Sequence, residues 1–154
     1  MISLRRKGRI APFFKVHGVA SFVCSRLTPT QKEMPHSPIF DVREEDYAEK
    51  VLEASHQYPV LVDFWADWCP PCRALTPVLE KVTRGMHGVV RLAKVEVDEN
   101  MRLAGRYKLR GFPTVILFLN GEEAGRFSGA RSEQQVRAFI AEHVPAAPTQ
   151  EAGS

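Results

Sequence analysis

Residues 60–77 read Val60-Leu61-Val62-Asp63-Phe64-Trp65-Ala66-Asp67-Trp68-Cys69-Pro70-Pro71-Cys72-Arg73-Ala74-Leu75-Thr76-Pro77. The first six are β-branched, aromatic or aliphatic except for one acid, and Pro59 stands before them. Such a run predicts a strand buried on both faces. From the cysteine pair onward the pattern changes period: Leu75, Val78, Leu79 and Val82 recur at helical spacing, and Gly85 or Gly88 supplies a stop. The chain therefore passes directly from a buried strand into a helix at Cys69.

Working outward, Ile39 to Val42 can form a short strand, after which Asp41 or Glu44 opens a helical segment with Tyr47, Val51 and Leu52 on one face. Downstream, Val89 to Val97 is a strand and about Asn100 to Tyr107 a shorter helix. Strand, helix, strand in succession implies parallel pairing through right-handed crossovers. The second half differs. Pro113 to Leu119 is a strand, Asn120-Gly121 suits a tight hairpin turn with two positive φ angles, and a return strand runs to about Ser128. Val136, Phe139 and Ile140 mark a final amphipathic helix. The expected class is α/β, a mixed central sheet, parallel at first and ending in an antiparallel hairpin, with helices on both faces. The expected domain spans 39–144, between an N-terminal extension, 1–38, and a tail, 145–154.

The 154 residues suit one domain, and 44% hydrophobic with 25% charged residues is the balance of a globular protein. No apolar stretch reaches the roughly 18 residues of a membrane-spanning helix, so no membrane is expected as a partner. The net charge of +3 conceals an asymmetry: Met1 to Lys32 carries seven Lys or Arg and no acid, leaving fourteen bases against 18 acids elsewhere. A mildly acidic body gives no ground for nucleic-acid binding. The basic leader fits a mitochondrial transit peptide, which is Arg-rich and acid-poor, or an extension preceding a start at Met34; export is a third reading. The expected location is cytoplasmic, with mitochondria as the alternative.

Three cysteines cannot make a disulfide scaffold, and only Cys69 and Cys72 lie together. Cys24 and the five histidines show no partner spacing for a zinc site, so no metal is expected. Redox chemistry fits better. At a helix start, free N–H groups and the dipole favour a thiolate, which can lower a cysteine pKa from about 8.5 into a range of about 3.5 to 7.5. Cys72, one turn on, can close a disulfide with Cys69 and so release a partner held as a mixed disulfide. The competing reading makes both cysteines inert core residues. Asp63, an acid in an apolar strand, is either desolvated and raised in pKa, able to act as a base, or a strand-end acid reaching water. Lys94 alternates with apolar neighbours and reads as a solvated strand lysine.

Val60 to Pro77 resembles the active-site segment of the thioredoxin family. The likeness continues through Lys94 in LAKVEVDEN, Arg110-Gly111-Phe112-Pro113-Thr114, Asn120-Gly121-Glu122 and Gly129-Ala130, over roughly Ile39 to Val144. It implies a thioredoxin fold and a protein-disulfide reductase with Cys69 attacking, Cys72 resolving and Asp63 managing the proton of Cys72. Lys94 matches the lysine that neighbours this acid. Pro113 matches a cis proline facing the disulfide, although from its residues alone it could begin a strand in trans. Trp65 and Trp68 match paired tryptophans, the first packing in the core and the second flanking an exposed sulfur. Pro70, Pro71, Gly111, Phe112 and Gly129 fall where clients bind, and Pro77 matches a helix kink.

Implied partners are a flavin-dependent thioredoxin reductase that uses NADPH and disulfide-containing client proteins; no bound cofactor is implied, and a monomer is expected. The usual dipeptide between the cysteines is Gly-Pro. Here Pro70 removes an N–H near the thiolate and stiffens the loop, which predicts a potential less reducing than about −270 mV. Two other functions compete with the reductase: an exported disulfide oxidase or isomerase, and a thioredoxin-like co-chaperone or binding module.

Overall fold

The computed structural model describes residues 37–145. The basic leader, Cys24, Met34 and the tail beyond Pro145 lie outside the described residues. Within them, strands β1 (Ile39–Asp41), β2 (Val60–Trp65), β3 (Arg91–Glu96), β4 (Thr114–Leu119) and β5 (Glu122–Ser128) form one sheet in the order β1-β3-β2-β4-β5. β1, β3 and β2 run parallel, while β4 is antiparallel to both β2 and β5. This is the mixed sheet expected. Asn120 and Gly121 take the turn with φ of 53° and 81°.

Helices α1 (Pro70–Gly85), α2 (Met101–Arg106) and α3 (Glu133–His143) complete the fold with one irregular segment. That segment corrects an expectation. Asp41 belongs to β1 and Glu44 to a turn, and the chain then winds as a π-helical stretch, Ala48–Glu53, tightening into a 3-10 turn, Ala54–His56. Asp46 makes the local turn, its Oδ1 accepting the N–H of Arg43 at 2.8 Å.

Period-two alternation divides β2 between two cores. Val60, Val62 and Phe64 join Tyr47, Val51, Val95, Ile116 and Phe118 on one side. Leu61 joins Leu75, Leu79 and Val82 of α1, Leu92, and Val136 and Ile140 of α3 on the other. Asp63 follows Leu61 in phase, so its carboxyl is directed into the side that α1 covers. No helix of the described residues is long and apolar enough to cross a membrane.

Candidate functional site

α1 starts on sulfur. Cys69 is its N-cap, at φ −97° and ψ 101°, and its Sγ accepts the N–H of Cys72 at 3.3 Å. Pro70 and Pro71 occupy the first two helical positions, where their fixed φ suits the helix and their missing N–H groups interrupt no helical bond. The donor to sulfur is therefore the third position's N–H. The N–H whose loss at Pro70 was expected to matter is not the one this cap uses, since a capping side chain draws on the second or third position.

Cys69 and Cys72 are joined in a disulfide with a Cα–Cα separation of 5.3 Å. Both residues are buried in this form. Cys72 is fully buried and Cys69 retains only 3% of its surface, so the exposed sulfur expected beside Trp68 is not seen in this oxidised form. In this form the Cys69 sulfur faces Cys72 and its N–H. Trp68 itself is 62% exposed; its indole N–H donates to Asp98 Oδ2 at 2.8 Å, and its ring meets Phe112 edge-on at 6.1 Å. That contact ties the start of α1 to the loop before β4, where the Phe112–Pro113 bond is cis.

Gly129, at φ 83°, donates its N–H to the carbonyl of Pro113 at 2.9 Å. A side chain there would be strained. Gly111 is exposed, and a Cβ on it would meet nothing within 4 Å. Pro70 and Pro71 are exposed beside the disulfide, and Pro113 is buried. Trp65 is half-buried and packs against the first core, with Lys94 Nζ 5.7 Å above its ring and its own indole N–H buried without a partner among the described residues. Pro77 lies inside α1.

Asp63 is wholly buried. Its Oδ2 receives the Thr76 hydroxyl at 3.0 Å, while Oδ1 has no partner among the described residues. Burial, which penalises the charged carboxylate, pushes its pKa up to about 7; the Thr76 hydrogen bond and the charge of Lys94 pull against that. The acid is thus poised to exchange a proton near neutrality, and the reading of an acid reaching water is excluded. Thr76 Oγ1 also lies 3.1 Å from the carbonyl of Cys72. A hydroxyl has one proton, so it can serve only one of these two acceptors at a time.

Lys94 is the register partner of Asp63 on β3. It is not a solvated strand lysine: its side chain is 21% exposed, and Nζ pairs with Glu80 Oε1 at 3.4 Å. The alternation of β3 is real, yet the face carrying Lys94 is covered by α1 rather than by water.

Thr76, Glu80 and Asp98 are members of this neighbourhood that the sequence reading did not single out. Thr76 carried a faint signal, being a polar residue one turn beyond Cys72 in a helix otherwise buried through Leu75 and Leu79. Glu80, four residues before Arg84 on α1, and Asp98 carried no signal of their own. Among the described residues no group of three or more His, Cys, Asp or Glu could hold a metal ion.

The family model described as Thioredoxin matches residues 38–142. "Probable thioredoxin-2" of Caenorhabditis elegans is 42% identical over 117 residues, 75% of this chain and 79% of that protein. The thioredoxin of Pseudomonas aeruginosa is 39% identical over 102 residues, 66% of this chain and 93% of its own length. "Thioredoxin, mitochondrial" of Bos taurus is 39% identical over 120 residues, 74% and 71% of the two chains.

Proposed function

The chain belongs to the thioredoxin family and is a protein thiol-disulfide oxidoreductase; from that premise we propose that Cys69 is its attacking thiol, Cys72 its resolving thiol and Asp63 the group that takes the resolving thiol's proton. The observation that carries this division is the position of Cys69 as the cap of α1, with the Cys72 N–H aimed at its sulfur. Such a cap favours an anionic sulfur once the pair is reduced.

The steps balance as follows. The Cys69 thiolate attacks one sulfur of a client disulfide; that S–S bond breaks, one client thiolate departs, and a mixed disulfide forms. Asp63 accepts the proton of Cys72, whose thiolate then attacks the Cys69 sulfur. The Cys69–Cys72 bond closes, the second client thiolate leaves, and two electrons have passed to the client. The family implies a thioredoxin reductase as the donor that reopens the pair, with NADPH behind it, and disulfide-containing proteins as clients. In this reading clients bind along Trp68, Pro70, Pro71, Gly111, Phe112, Pro113 and Gly129, while Lys94 and Trp65 support Asp63.

Insulin reduction by the purified chain with a thioredoxin reductase and NADPH tests the activity, and Cys69→Ser should abolish it. Cys72→Ser should accumulate covalent client adducts, because nothing resolves them. Absence of adducts would overturn the assignment of the two sulfurs.

The same proposal takes 39–144 as the domain, flanked by the extension and tail, acting as a monomer in the cytoplasm. A mitochondrial destination is the alternative, supported by the basic leader and by the name of the Bos taurus relative. Import of the full chain into isolated mitochondria, against a chain begun at Met34, separates the two.

A further inference from the structure

Lys94 would be the natural counter-ion of Asp63. The two residues are partners on adjacent parallel strands, and their side chains project to the face that α1 covers. Yet among the described residues no ion pair joins them; Nζ of Lys94 is held at 3.4 Å by Oε1 of Glu80, on α1. The other oxygen of Glu80 is occupied as well, taking Arg84 at 3.2 Å. Glu80 is thus gripped on both oxygens, with only 24% of its side chain exposed. Beside this group a cavity of about 210 Å³ is lined by Trp65, Arg73, Thr76, Pro77 and Lys94.

We propose that Glu80 is a positioning residue for the redox reaction: by holding the Lys94 ammonium to itself, it sets how readily the Asp63 carboxyl takes up the proton of Cys72. The inference rests on the role proposed above for Asp63. An ammonium released toward a buried carboxylate would stabilise the ionised form, and a carboxylate stabilised in that way is a weaker base toward the Cys72 thiol near neutrality. The groups that bear on Asp63 are Lys94 from β3 and Thr76 and Glu80 from α1; from β4 the apolar Val115 stands opposite. Burial is the main upward influence on the acid, Thr76 and Lys94 act downward, and Glu80 acts upward.

The test is a carbon-13 NMR titration of the Asp63 carboxyl in the reduced full chain. Glu80→Gln frees Lys94 and should lower the midpoint by about one pH unit, with the pH profile of insulin reduction moving the same way. Glu80→Asp, which keeps the charge, should restore most of the difference. In a Lys94→Met background Glu80→Gln should shift the midpoint by clearly less, leaving only the direct influence of the Glu80 charge. A midpoint unmoved by Glu80→Gln in a folded protein, or a shift that survives undiminished without Lys94, overturns the inference. Failure of the underlying reading looks different: Asp63→Asn would keep full reductase activity, whatever the titration shows.

Discussion

Two helices of this protein begin with the same hydrogen bond and put it to different uses. At α3, Ser132 Oγ accepts the N–H of Gln135 at 3.3 Å, and Gln135 Oε1 accepts the N–H of Ser132 at 2.9 Å. Glu133 adds an acid to the first turn. At α1, Cys69 Sγ accepts the N–H of Cys72 at the same 3.3 Å, but no side chain reciprocates, the first turn has no acid, and two positions are proline. Oxygen is a full acceptor in any state of the protein. Sulfur in a disulfide is a weak one and becomes strong only as a thiolate. The cap of α3 is therefore complete as folded, whereas that of α1 is completed by reduction, and its spare attraction is available to an anion.

The largest break in this comparison comes from making α1 start like α3. Cys69→Ser supplies an oxygen cap at the same place, so helix content by circular dichroism should be kept. Insulin reduction should nevertheless fall by about three orders of magnitude or more, as when a covalent nucleophile is removed. Residual activity near that of the parent would mean that the cap's chemistry is not what matters.

The second difference lies beneath the two starts. Val136 and Ile140 under α3 are apolar and buried, whereas α1 stands over Asp63. With a pKa of about 7 in the folded chain against an ordinary 3.8, Asp63 keeps a proton that the unfolded chain gives up. Stability should thus fall as pH rises from 3.8 to 7, with a cost on the order of 4 kcal/mol above that window. Asp63→Asn should be more stable than the parent by up to that amount at pH 8 in urea denaturation, and the advantage should vanish below pH 3.8. Its reductase turnover should drop. Equal stabilities at pH 8 would refute the buried-acid account. A third, smaller effect concerns the reduced cap: the alkylation rate of Cys69 should reach half its plateau well below the about 8.5 of a free cysteine. Titration like an ordinary thiol would remove the distinction between the helix starts.

Much of this contrast is written locally. The switch of hydrophobic period at Cys69 gives both β2 and α1, and Asn120-Gly121 dictates its own turn. Illegible features depend on contacts made far along the chain. The segment Ala48–His56 departs from a regular helix, and its final turn is pinned to the hairpin: Ser55 Oγ accepts the N–H of Gly121 at 2.7 Å and its carbonyl that of Asn120 at 2.9 Å. No pattern within 48–56 announces that. Lys94 was misread because alternation alone does not say whether water or a helix covers the second face. With the sulfur's donor located at Cys72, the less reducing potential expected of Pro70 rests on loop stiffness alone.

The smallest expected effect tests whether the α3 start is purely structural. Ser132→Ala removes the oxygen acceptor and should cost about 1 kcal/mol in chemical denaturation. Gln135→Ala, which leaves the Ser132 hydroxyl in place, should cost less. Neither should alter insulin reduction. α3 does touch α1, since Glu133 pairs with Lys81 at 2.7 Å. Lys81, however, is twelve residues along the helix from Cys69, about 18 Å at the usual rise. Fraying at Ser132 should dissipate over that distance before reaching the disulfide. If Ser132→Ala slowed insulin reduction while leaving stability unchanged, the two helix starts would be coupled, and a cap made for stability could not be separated from one made for chemistry.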